Sequence, residues 1–253
     1  MQRLSDFPKV LFFVSCAVLW LSTKIGASLH KWWGWREHGE GADFNVVLTA
    51  TLTLLGLIIG FSFSMAIGRY DQRKNDEAIE ANVIGTEYDR VGLLEFADAE
   101  RTRDLLKKYL AQRVLFYTVH NPRDLAQVGR QTAQLQRQMW SVVQAAATAK
   151  PSAPKTLVAA GMNEVLDAAG YTQAAWRNRI PLSAWSLMAI IAVCSNVMIG
   201  YGFDRKRTFL LTVLPFVLSV AFLLIAEIDS PRWGLIQVGP ENLISLSESL
   251  SAH

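Results

Sequence analysis

Four histidines, two cysteines and one pair of acids are the residues here whose types suit chemistry, and their spacing argues against an enzyme. His30 and His38 share one loop, with no cysteine or third histidine at ligand spacing, so no metal site is expected there. His120 and His253 lack a carboxylate or cysteine partner at a suggestive separation. Cys16 and Cys194 both sit in apolar stretches and read as small packing residues rather than a disulfide. No GxSxG, HExxH, P-loop, CxxC or GxGxxG run occurs. Glu227 and Asp229 close the last apolar stretch and read as a solvated helix terminus. Nothing calls for a catalytic residue, a cofactor or a metal.

The run LLGLIIGFSFSMAIGR (54–69) carries a different kind of chemistry. Gly56, Gly60, Ser64 and Gly68 repeat every fourth residue and make one small-residue stripe. Leu57, Phe61 and Met65 make the adjacent large apolar stripe, one residue per helical turn. Small stripes let helices pack closely in lipid, and ordinary packing is one reading of this one. The sharper reading is a symmetric oligomer. Copies of the helix would approach an axis, and the large residues would form stacked rings that gate a pore by dewetting. Arg69, Arg73 and Lys74 follow at once. They are either plain membrane-flank charge or a pore mouth that concentrates anions.

Such a stripe needs a bilayer around it, and the chain supplies one. Residues 10–23, 46–67, 182–203 and 208–226 hold no charged side chain. A bilayer core takes ~20 apolar residues per helix. Three stretches meet that, and the first does with Phe7 and residues 24–29. It reads as a retained helix rather than a signal peptide, because its basic start is weak and the cleavage site poor. With 253 residues, 51% of them hydrophobic, and a net charge of +3, the chain suits a mixed membrane and extramembrane protein and gives no argument for nucleic acid. The expected layout is a first transmembrane pair over 1–68, a helical extramembrane domain over 69–180, a second transmembrane hairpin over 181–228, and a polar tail over 229–253.

Trp32, Trp33 and Trp35 follow the first stretch and read as interfacial anchors. The second stretch runs on without proline into the extramembrane part, so one helix is expected to leave the bilayer unbroken. Asp98 is placed as the cap of the next helix, with Leu105, Leu106, Tyr109, Leu110, Phe116 and Tyr117 as its core face. Asn121-Pro122 is an N-cap and N1 pair opening a third helix to about Ala149. A fourth helix is expected over 155–178, with a break at Gly170, and Arg205, Lys206 and Arg207 make a basic turn in the final hairpin.

Two segments carry a family resemblance. The first is the second helix with its extension, where Arg69, Tyr70, Asp71 and Arg73 are followed by Glu80, Ala81, Asn82, Ile84, Gly85 and Thr86. The second is the segment with Asp229, Pro231 and Gly234, then Pro240, Glu241 and Leu243. Both resemble the bacterial bestrophin-like membrane proteins, distant relatives of the bestrophin anion channels, and the layout of the whole chain agrees. The resemblance implies a pentamer whose second membrane helix lines an anion pore, with Leu57, Phe61 and Met65 at an apolar neck. It also implies a bacterial inner-membrane location with domain and termini cytoplasmic, whereas the loop charges leave orientation open. Calcium-responsive bestrophins carry clustered acids after the segment like 229–234. This chain has only Glu241 there, so calcium gating is not expected.

The expectation is therefore an all-α, four-span, homo-oligomeric chloride or small-anion channel, with membrane lipid as its other partner. The rival is a non-conducting membrane-anchored signalling or scaffold protein whose helical domain binds a partner. An enzyme ranks behind both.

Overall fold

The computed structural model describes residues 7–32, 41–202 and 210–252, and all regular structure among them is helical. The helices are α1 (Pro8–Trp32), α2 (Gly41–Arg90), α3 (Phe96–Thr118), α4 (Pro122–Ala149), α5 (Ala153–Arg177), α6 (Leu182–Gly202), α7 (Leu210–Asp229) and α8 (Glu241–Ser251). Trp33, Trp35, His38, His253 and the basic turn Arg205–Lys206–Arg207 lie outside the described residues, as does the Trp32 side chain. The chain divides into two compact units, Met1–Tyr70 with Arg179–Gln237 and Asp71–Asn178 with Val238–His253.

The first unit holds α1, the apolar part of α2, α6 and α7. Four helical segments are long and apolar enough to cross a membrane. The protein is an integral membrane protein. Its core joins Leu19 of α1, Leu55 and Ala66 of α2, Met188 and Ala192 of α6, and Leu218, Phe222 and Ile225 of α7. In lipid no hydrophobic force drives helices together, so close backbone contact must do more. Gly26 and Gly200 provide it. A Cβ on Gly26 would overlap the Val197 carbonyl, and one on Gly200 the Thr23 carbonyl. Thr23 Oγ1 also donates to Asn196 Oδ1 at 3.3 Å across the same crossing. Among the described residues, Gly26 and Gly200 thus bring two helix backbones into contact, and both lie outside the stripe on α2.

The second unit is built from the polar half of α2, a 3-10 turn at Val91–Leu93, α3, α4, α5 and α8. The expected core face of α3 is buried at all six positions. Asn121 Oδ1 accepts from the Arg123 backbone N–H at 3.0 Å and starts α4, with Pro122 in its first turn. Two details differ from expectation. The N-cap of α3 is Glu95, and Asp98 lies in the first turn, where its charge still favours the helix N-terminus. Helix α5 is continuous through Gly170, because an isolated glycine lowers helix propensity without breaking a packed helix. Within the polar tail, residues 241–251 form helix α8.

Candidate functional site

At ~3.6 residues per turn, nine residues are two and a half turns, so Ser64 lies opposite Leu55 on α2. That geometry divides the helix. Leu55, Ser62 and Ala66 are buried, with Ile58 and Ile59 packed beside them. The opposite side holds both stripes. A Cβ on Gly56, Gly60 or Gly68 would meet nothing within 4 Å, and Ser64 is exposed. Leu57, Phe61 and Met65 are exposed at 53%, 62% and 41%. Among the described residues, therefore, no other helix covers either stripe. In the second unit, Asp71, Asn75, Ile79, Asn82 and Thr86 of α2 are exposed at steps of three or four residues.

The three cations after the stripe have different surroundings. Lys74 is exposed. Arg73 is buried at 1% exposure rather than facing solvent. Arg69 Nη1 stands 3.7 Å from Asp229 Oδ1. Tyr70 packs against the core of the first unit.

The acids at the end of α7 are buried, against the expectation of a solvated terminus. Asp229 accepts from the Ile180 backbone N–H with both oxygens, at 3.1 and 3.2 Å. That N–H immediately precedes Pro181 and α6, so the carboxylate ties the start of α6 to the end of α7. Glu227 Oε2 accepts from the Leu235 backbone N–H. A Cβ on Gly234 would overlap the Glu227 carbonyl. Asp229 and Gly234 of the Asp-x-Pro-x-x-Gly segment thus each hold the chain as it leaves the last span.

Every buried acid of the second unit sits on the packed face of α2. Glu77 caps α8, accepting from Leu243 N–H at 3.0 Å and from Asn242 Nδ2 at 2.6 Å. Gly85 lies against the Leu246 side chain of the same helix. Glu80 receives Arg113 in a two-pronged contact, Nε to Oε1 and Nη2 to Oε2, the latter at 3.2 Å, and Thr172 donates to Oε2 at 3.0 Å. The Arg113 guanidinium also lies 4.5 Å from the centre of the Phe116 ring. Burial works against the Arg113 charge, but Glu80 and the neighbouring Tyr109 outweigh it, so its proton is held more tightly than usual. Burial pushes the Tyr109 and Tyr117 hydroxyls up. Burial raises Asp76 as well, offset in part by a 2.7 Å hydrogen bond from Gln72.

Glu87 is different. It is wholly buried, Arg90 Nη1 is 3.5 Å from its Oε2, and its Oε1 has no hydrogen-bond partner. Burial pushes its carboxyl up to about 8; Arg90 opposes the shift and Glu164 adds to it. Gly161 of α5 makes room, since a Cβ there would overlap both Glu87 and Arg90.

These groups are joined in structural pairs and caps rather than around a substrate cavity. Sequence reasoning singled out Glu80, Gly85, Asp229 and Gly234 by resemblance, without their partners. It missed Glu77, Glu87 and Arg113. For the two glutamates the sequence signal is the step of three or four residues from Arg73 through Glu77, Glu80 and Ile84 to Glu87. Of the remaining motif residues, Asp71, Asn82 and Thr86 face outward.

The family model described as a bestrophin-like domain matches residues 16–243. Two structures of variants of a bacterial bestrophin homologue from Klebsiella pneumoniae superpose with TM-scores of 0.67 and 0.66, each at 12% identity and each covering 95% of this chain and 98% of its own. A third structure, of a membrane protein, gives 0.67 at 12% identity over 95% of this chain and 97% of its own. No curated protein matches. At such identity the structural likeness is one of fold.

Proposed function

The chain belongs to the bestrophin-like family, and from that membership we propose that it is a homo-oligomeric ion channel, a pentamer conducting chloride or other small anions. The observation that carries the reading is the exposed side of α2. A mid-span helix face with open space at Gly56, Gly60 and Gly68, beside exposed Leu57, Phe61 and Met65, suits close approach to copies of itself. In a ring of copies the three large residues form successive apolar constrictions that water leaves readily.

Anion preference has narrower support. With Arg73 buried and Arg69 beside Asp229, Lys74 is the exposed cation of the three. No catalytic grouping is needed for conduction, which fits the absence of enzyme motifs from the sequence. The arrangement proposed is an inner-membrane protein with its helical domain and termini cytoplasmic. The test pairs two measurements on purified full-length protein. Single cysteines along α2 should crosslink between copies best at the Gly60 and Ser64 levels, and bilayer recordings in a chloride gradient should give a reversal potential of anion sign. Crosslinks without conduction at any pH or voltage would favour a non-conducting scaffold.

A further inference from the structure

The segment that follows α7 is folded, and it presents its apolar residues outward. Glu227 receives the Leu235 N–H, and Gly234 lies on the Glu227 carbonyl. Gln237 Nε2 donates to the Arg232 and Gly234 carbonyls at 2.9 and 2.7 Å, closing residues 232–237 on themselves. The Trp233 ring lies 6.2 Å from the ring of Phe7, the residue before α1. With its backbone fixed this way, the loop leaves Leu235 at 80% exposure, and Trp233, Ile236 and Phe7 about two-fifths exposed.

A water-facing loop has no reason to fix a leucine outward, because exposing it forgoes the gain of burial. Its position says what covers it. The loop starts directly after the last membrane span, and its ring partner directly precedes the first. The Phe7–Trp233 contact therefore brings together the membrane-edge ends of α1 and α7. Indole rings prefer the headgroup level, and apolar side chains beside them reach the acyl boundary. The exposed Lys9, two residues from Phe7, adds a cation suited to lipid phosphate.

We infer that Phe7 and the 232–237 loop form a preformed interfacial anchor, whose partner is the phospholipid headgroup and acyl boundary of the bilayer. Glu227 and Gly234 are its positioning residues: they fix the loop's backbone, and Trp233, Leu235 and Ile236 enter the lipid. The anchor sets the depth of α1 and α7 together. This inference requires the chain to span the membrane, but not that it conduct ions.

The test uses full-length protein carrying Cys16→Ser and Cys194→Ser, with a nitroxide on Leu235→Cys, in vesicles of phosphatidylcholine and phosphatidylglycerol. Power saturation with oxygen, which partitions into lipid, and with a water-soluble nickel chelate reads the label's surroundings. Oxygen should relax the label more than nickel, at a depth of about 5–10 Å below the phosphates. Ile236→Cys should agree, which guards against a misfolded first variant. Greater relaxation by nickel would put the loop in water and overturn the inference. Weak relaxation by both would mean that protein, such as a second copy, covers the loop, and would overturn it equally. Adding Gly234→Ala should shift the Leu235 label toward nickel if the fixed backbone is what places it in lipid.

Discussion

Replacing Glu80 by glutamine tests whether the buried charges of the second unit hold it together. Glu80 is fully buried, and Arg113 is 4% exposed. The wild-type carboxylate meets the guanidinium through two contacts and takes a third from Thr172. In Glu80→Gln the side chain keeps its length but loses the charge, and Arg113 stays charged and enclosed. An uncompensated buried charge costs about 3–5 kcal/mol. At roughly 2–4 °C per kcal/mol for a domain of this size, the melting temperature should fall by roughly 6–20 °C. The assay is thermal unfolding of purified protein in detergent, followed by helical circular dichroism. Removing both charges with Glu80→Met and Arg113→Met should recover much of the loss, since the penalty lies in the orphaned charge more than in the pair's net contribution. Thr172→Val should cost about 1–3 kcal/mol, less than Glu80→Gln. A melting temperature for Glu80→Gln within a degree or two of wild type would refute the reasoning. So would a double variant no more stable than Glu80→Gln.

Glu87 makes stability fall with alkalinity. Its folded value, about 8, lies above the usual carboxylate range, so the folded state keeps a proton that the unfolded chain releases, and its stabilisation, complete below that usual range, is lost as pH rises through the folded value. Melting temperatures at pH 6 and pH 9 should show the decline, and Glu87→Gln should flatten it; an unchanged slope in that variant would point to other groups. Gly26→Val should destabilise by about 1–3 kcal/mol or more, because its side chain meets the Val197 backbone, whereas Gly60→Val should leave the single chain's stability intact and weaken crosslinking between copies. Detergent melts and cysteine crosslinking separate the two effects. Phe61→Ala should raise conductance or open probability while keeping the ion's sign, with Leu57→Ala and Met65→Ala acting more weakly in the same direction; bilayer currents indistinguishable from wild type would place the gate elsewhere.

The sequence by itself determined the class of this protein. Uncharged runs of bilayer length are local, and the backbone in lipid must satisfy its own hydrogen bonds, so three such runs and a shorter first one mean spanning helices whatever surrounds them. The Asn121-Pro122 cap and the core face of α3 were legible for the same reason, since capping and periodicity act within a few residues. The motif residues Glu80, Asp229 and Gly234 were visible only as a likeness. What each one does depends on groups far along the chain: Arg113 and Thr172 for Glu80, Ile180 for Asp229, and the Glu227 backbone for Gly234. Burial was likewise beyond sequence reach, because an acid at a helix end reads as solvated until another segment covers it, as 230–237 covers Glu227. The same holds for glycine. Gly26 and Gly60 look alike in sequence, yet one sits against a carbonyl of α6 and the other faces open space. Only the packing of α1 on α6, which is set by their joint shape, decides which glycine joins helices within the chain and which leaves a face uncovered.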